Sequence, residues 1–163
     1  MHVRKLPAPF FLGCLCLAGR AYASEGDIGR EIGAVLGWRL GPEALEERCR
    51  EADPAGVEVR AAALKAWQEK NKARLQQVDE RVAEILPMLE LPAADGDPVH
   101  AVREQVKAIF IEHVFSGKNP EQVAALCRAE ADPKSVTWNS TGMPHIQMSL
   151  AALYDWKVKQ EAK

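Results

Sequence analysis

This chain has no run of alternating apolar and polar residues long enough to suggest a half-buried β-strand. Its N-terminal apolar stretch, Leu6 to Gly19, is 14 residues long and contains Pro7 and Pro9, short of the ~20 residues a helix needs to span a bilayer. Lysine and arginine are scattered rather than gathered on one face. That argues against a nucleic-acid partner and against an anionic membrane surface. Beyond the N-terminal segment the histidines are His100, His113 and His145. None belongs to an H-E-x-x-H motif or to a Cys/His pair with zinc-ligand spacing, so no metal site is indicated. Glu112 and His113 are sequence neighbours and would point about 100° apart on a helix, so they make no pair. No catalytic constellation and no cofactor motif emerges. A hydrolase remains the least supported reading.

The N-terminus has the three parts of a secretory signal. Arg4 and Lys5 precede the apolar stretch, and Ala21-Tyr22-Ala23 stands before the polar Ser24-Glu25-Gly26-Asp27, which predicts cleavage after Ala23 and release into the periplasm or medium. Residues 1–23 are then the signal peptide and 24–163 one domain of ordinary size. The whole chain carries a formal charge of −2. Without Arg4, Lys5 and Arg20, 18 basic residues face 23 acidic ones, a balance of −5. Cleavage also removes Cys14 and Cys16, leaving Cys49 and Cys127 as an even pair in an oxidising compartment.

A phrase occurs twice. Gly41-Pro42-Glu43-Ala44-Leu45-Glu46-Glu47-Arg48-Cys49-Arg50 is echoed by Asn119-Pro120-Glu121-Gln122-Val123-Ala124-Ala125-Leu126-Cys127-Arg128, with the Pro, Glu, Cys and Arg each displaced by 78 positions. Glu51-Ala52-Asp53-Pro54 and Glu130-Ala131-Asp132-Pro133 follow, and Ala62-Ala63-Leu64-x-x-Trp67 is echoed by Ala151-Ala152-Leu153-x-x-Trp156. The pattern predicts two diverged copies of a helical unit, about 27–91 and 98–163. If equivalent residues face each other near a pseudo-twofold axis, Cys49 and Cys127 form a disulfide between the copies. The other reading is two separate buried thiols packing as small hydrophobes.

Helical spacing runs throughout. Ile28, Ile32, Val35 and Leu36 predict a first short helix, ended or bent between Gly37 and Gly41, and Pro42 then opens a second. Leu64, Trp67, Asn71, Leu75, Val78, Val82, Ile85 and Leu89 form a seam on one face of a long helix from about Val57. Asn71, its polar member, is expected to fix register or cap a nearby carbonyl, with ligand contact as the alternative. Residues 92–98 join the halves. A fourth helix starts at Asp97-Pro98 and stops at Ser116-Gly117, a fifth follows Asn119, and a last spans about Pro144 to Ala162. The expected fold is all-α, about six helices in two three-helix units.

The second copy has an insertion, Val136-Thr137-Trp138-Asn139-Ser140-Thr141-Gly142-Met143-Pro144-His145, with no acid, Lys or Arg in it. An aromatic, hydrogen-bonding side chains and a glycine together suit a recognition surface. Trp138, Asn139, Thr141, Met143 and His145 are the candidate binding residues. Alternatively Trp138 plugs the core. Asn139-Ser140-Thr141 also fits a glycosylation sequon, relevant only in a eukaryotic secretory pathway. The reading that follows is a helical protein-interaction module of inhibitor, immunity or adaptor type, whose partner is another protein. The runner-up is a periplasmic helical protein responsive to a small ligand or metal.

Overall fold

In a computed structural model, residues 26–89, 97–132, 134–135 and 143–162 are described. They form five helices: α1 Gly26–Ala52, α2 Val57–Ile85, α3 Pro98–Phe115, α4 Pro120–Glu130 and α5 Met143–Glu161. No strand occurs among the described residues. The expected signal peptide lies outside them.

The hub is α1, which packs against all four other helices, while α2 also meets α5. Contact on several sides explains why α1 buries residues all round rather than along one stripe. Ile28, Ile32, Val35, Leu36 and Leu40 join Val78, Val82 and Ile85 of α2 and Ile146, Leu150, Leu153 and Trp156 of α5 in the main core. Val99, Val102 and Val106 of α3 pack onto it from outside. No residue of α3 is fully buried, so α3 is a half-covered outer helix.

Of the end or bend expected between Gly37 and Gly41, the end is overturned. The chain neither stops nor restarts between Gly37 and Gly41; α1 runs unbroken through Pro42. Proline inside a helix forgoes one backbone hydrogen bond and costs about 3 kcal/mol. Against that, Leu36, Leu40, Ala44 and Leu45, on both sides of the proline, are at most 4% exposed. Each fully buried Leu contributes about 1.5–3 kcal/mol, and a break would forfeit several. Packing wins over local propensity, and the first expected three-helix unit has its first two helices fused into one.

Gly41 has a separate role. A Cβ there would sit 2.7 Å from Cε2 of Phe110 on α3, whereas a Cβ at Gly33 or Gly37 meets nothing within 4 Å. Alanine in a helix interior gains up to ~1 kcal/mol over glycine, but overpacking costs about 1–3 kcal/mol. Gly37→Ala is therefore expected to raise the melting temperature and Gly41→Ala to lower it, measured by circular dichroism.

The remaining boundaries follow ordinary capping chemistry. Asp97 accepts from the Val99 N–H at 2.9 Å. Asn119 and Gln122 form a reciprocal capping box, each bond 2.9 Å, with Pro120 in the first turn. Ser116 ends α3, and Gly117 follows with φ at +71°, a backbone glycine adopts without strain.

Candidate functional site

Between α1 and α4 lies a satellite core of Leu45, Cys49, Val123 and Cys127, against which Phe110, Val114 and Phe115 of α3 also pack. The Cys49 and Cys127 sulfurs are bonded at 2.02 Å, with Cα atoms 5.3 Å apart. The disulfide expected from the repeated phrase is therefore present, and both cysteines are fully buried.

Beside it sits a residue that sequence reasoning missed. Arg60 is completely buried near the start of α2. Its Nε donates to Glu46 Oε2 at 2.9 Å, and its Nη1 donates to Asp53 Oδ2 at 2.6 Å and to the Cys127 carbonyl at 3.3 Å. Its Nη2 donates to the Cys49 carbonyl at 3.1 Å and the Asp53 carbonyl at 2.7 Å. All five N–H bonds of the guanidinium are used, and two reach the backbones of the disulfide cysteines themselves. Gly56 makes room, because a Cβ there would collide with Arg60 Nη1. The second Glu46 oxygen, Oε1, has no hydrogen-bond partner and lies 3.8 Å from Arg50 Nη2. With Arg60 fully covered, this cluster joins elements together and offers no approach to a ligand.

A second polar network ties α1, α2 and α3. Arg39 Nε donates to Asp79 at 3.2 Å and its Nη1 to Glu43 at 2.8 Å. Arg103 of α3 donates to the other Asp79 oxygen at 2.8 Å. Burial alone would lower the Arg39 pKa, but hydrogen bonding and charge from Glu43 and Asp79 outweigh it and hold the guanidinium above its usual value. Asn71 donates to the Trp67 carbonyl at 2.8 Å, one turn back within α2. Trp67 in turn packs against Trp38 with ring centroids 5.2 Å apart.

Between α1 and α3 runs an open groove of about 310 Å³, bordered by Glu47 and Glu51 on one side and Glu104 and Lys107 on the other. Its charges largely cancel internally: Arg48 pairs with Glu51 at 3.1 Å and Lys107 with Glu104 at 2.9 Å. The Lys107 hydrogen bond and charge hold the Glu104 carboxyl below its ordinary pKa. Nothing in the groove selects a ligand of one charge. Among the described residues no three His, Cys, Asp or Glu side chains gather as a metal site.

The outer face of α5 is different. One side of this helix enters the core through Ile146, Leu150, Leu153 and Trp156. The opposite side is also largely apolar, yet Met148 is 69% exposed, Tyr154 51% and Val158 44%. Exposed Pro144 and Ala151 complete a stripe 144, 148, 151, 154, 158, a spacing that keeps all five on one helix face. Arg81 of α2 stacks on Tyr154, its guanidinium carbon 4.9 Å from the ring centroid. Of the candidate binding residues, Trp138, Asn139 and Thr141 lie outside the described residues. Met143 opens α5, and His145 is exposed in its first turn. The insertion therefore leads directly into this face. His100 and His113 are exposed on α3. No family model, no curated protein and no solved structure matches this chain.

Proposed function

We propose that this is a secreted or periplasmic helical module that binds another protein through the outer face of α5 and the segment 136–142 leading into it. The observation that carries the reading is the apolar stripe Met148, Ala151, Tyr154 and Val158, solvent-facing on a helix whose opposite side already fills the core. Single exposed apolar residues are ordinary; several along one helix face, with only Gln147 and Asp155 among them, are the mark of a contact surface. The buried disulfide suits an oxidising compartment. Among the described residues no helix is long and apolar enough to cross a membrane.

The test is capture from the native periplasmic or secreted fraction by mature protein carrying Met148→Glu or Trp138→Ala, with thermal melting alongside. Met148→Glu is expected to reduce capture at least tenfold while moving stability by no more than about 0.5 kcal/mol, as surface changes do. Trp138→Ala is expected to behave the same way. A large fall in melting temperature for Trp138→Ala, equivalent to about 3–5 kcal/mol, would show a core plug instead. Undiminished capture by Met148→Glu would remove α5 from the binding surface.

A further inference from the structure

We infer that the occupant of the α5 outer face is a second copy of this chain, in an antiparallel α5–α5 pair with its twofold axis at Ala151. The inference rests on the reading of that face as a contact surface and adds the partner. Its basis is a palindrome in the exposed stripe. Taking Ala151 as the centre, Met148 and Tyr154 lie three residues to either side, and Pro144 and Val158 lie seven to either side. All five are exposed. A twofold axis through Ala151 brings Met148 onto the partner subunit's Tyr154, and Pro144 onto the partner subunit's Val158. An isologous interface requires this reciprocity, since each contact must occur twice.

The chemistry fits at each level. Ala151 at the centre is small, so two helix backbones can approach closely there. Methionine sulfur against an aromatic ring is a favourable contact, and the Arg81 guanidinium already holds the Tyr154 ring from one side. Two exposed polar residues within the same face, Gln147 and Asp155, also choose the direction. Antiparallel pairing sets Asp155 opposite the partner subunit's Gln147, a donor for its carboxylate. Parallel pairing in register would instead oppose Asp155 to Asp155 and Lys159 to Lys159. Lys157 lies off this face, engaged by Glu84 at 3.2 Å and Glu161 at 3.6 Å.

The stripe from 144 to 158 is about 21 Å long at 1.5 Å per residue. One helix face of that length falls below the ~800 Å² per partner of a standard stable interface. The pair is therefore reversible and set by concentration, so copies also exist as monomers whose α5 face is open to other proteins.

Sedimentation velocity over a concentration series of the mature, disulfide-intact protein should show a monomer–dimer equilibrium. Met148→Glu should weaken it at least tenfold, while the control Val59→Glu, also exposed but on α2 far from α5, should leave it unchanged. Ala151→Cys, oxidised with glutathione disulfide, should give a cross-linked dimer, because the axis brings the two new thiols together, whereas Val59→Cys should not. Both native cysteines are fully buried and stay out of the exchange. A wild type that is monomeric throughout overturns the pair, as does a dimer that Met148→Glu leaves intact or that Ala151→Cys fails to cross-link. If the protein is monomeric yet Met148→Glu still loses capture of a periplasmic protein, the self-pairing falls and the binding face survives. If capture is also undiminished, both readings fall.

Discussion

Arg60→Met is expected to lose about 3–5 kcal/mol of folding free energy, the cost of breaking a buried ion pair from one side. The substitution keeps much of the aliphatic bulk but removes all five hydrogen bonds that Arg60 donates. Glu46, 3% exposed, and Asp53, 9% exposed, would then be buried carboxylates without their cation. Both are largely shielded from water, Glu46 more than Asp53. Since domains are stable by only about 5–15 kcal/mol, this one side chain governs a large share. Arg60→Lys separates charge from geometry: an ammonium has three donors on a point charge and cannot reproduce the planar fork, so it should recover only part of the loss. Urea melts of the three proteins test the ranking wild type, then Lys, then Met. Equal midpoints for Lys and wild type would mean that charge alone matters there; equal midpoints for all three would mean that the cluster contributes nothing net.

Arg60 also shows where sequence reading stops. The α2 seam was legible because Trp67, Asn71, Leu75, Val78, Val82 and Ile85 repeat every three or four residues, and each is buried. Counting back from Leu64 by the same step reaches Arg60. Its register was the available signal, but an arginine on a helix ordinarily reads as solvated surface. Only the fold reveals that Glu46, Asp53 and two cysteine carbonyls converge on it. The disulfide was legible for a different reason, since equivalent places in a repeated phrase gave the pairing a geometric motive. The helix end that was one of the two outcomes expected at Gly37 to Gly41 failed because local propensity says nothing about how many partners a helix has, and α1 has four. On α5 apolar spacing alone does not decide whether Tyr154 or Trp156 faces the core. Trp156 is 9% exposed and Tyr154 51%, and choosing between them required knowing where α1 and α2 lie. On the proposed surface, Met148 and Val158 stood out only once the opposite face was seen to be buried, since an apolar residue on an amphipathic helix ordinarily reads as core.

Replacing both Cys49 and Cys127 by Ala should produce the second large effect, and one confined to part of the molecule. The disulfide spans a sequence separation of 78, and closing a loop of that size removes unfolded-state entropy worth about 4–5 kcal/mol if the bond is unstrained. The corresponding fall in melting temperature is on the order of 10–20 °C. The loss should be uneven because α4 is held through one small cluster, with Leu45 of α1 and Phe110, Val114 and Phe115 of α3 around its two buried residues. This helix is 11 residues long, buries only Val123 and Cys127, and makes its main contact with α1. The core shared by α1, α2 and α5 contains neither cysteine. Hydrogen exchange should therefore show the α4 amides losing most of their protection while those around Val78 and Val82 keep theirs, with a circular-dichroism spectrum that remains helical. Arg60 couples the two predictions, since its bond to the Cys127 carbonyl exists only while α4 is docked. Adding Arg60→Met to the double-Ala protein should then cost less than it does in the wild type, a non-additivity expected of residues sharing one junction. Strict additivity, or protection lost evenly from all five helices, would show that α4 is held by the body of the protein and not by the staple.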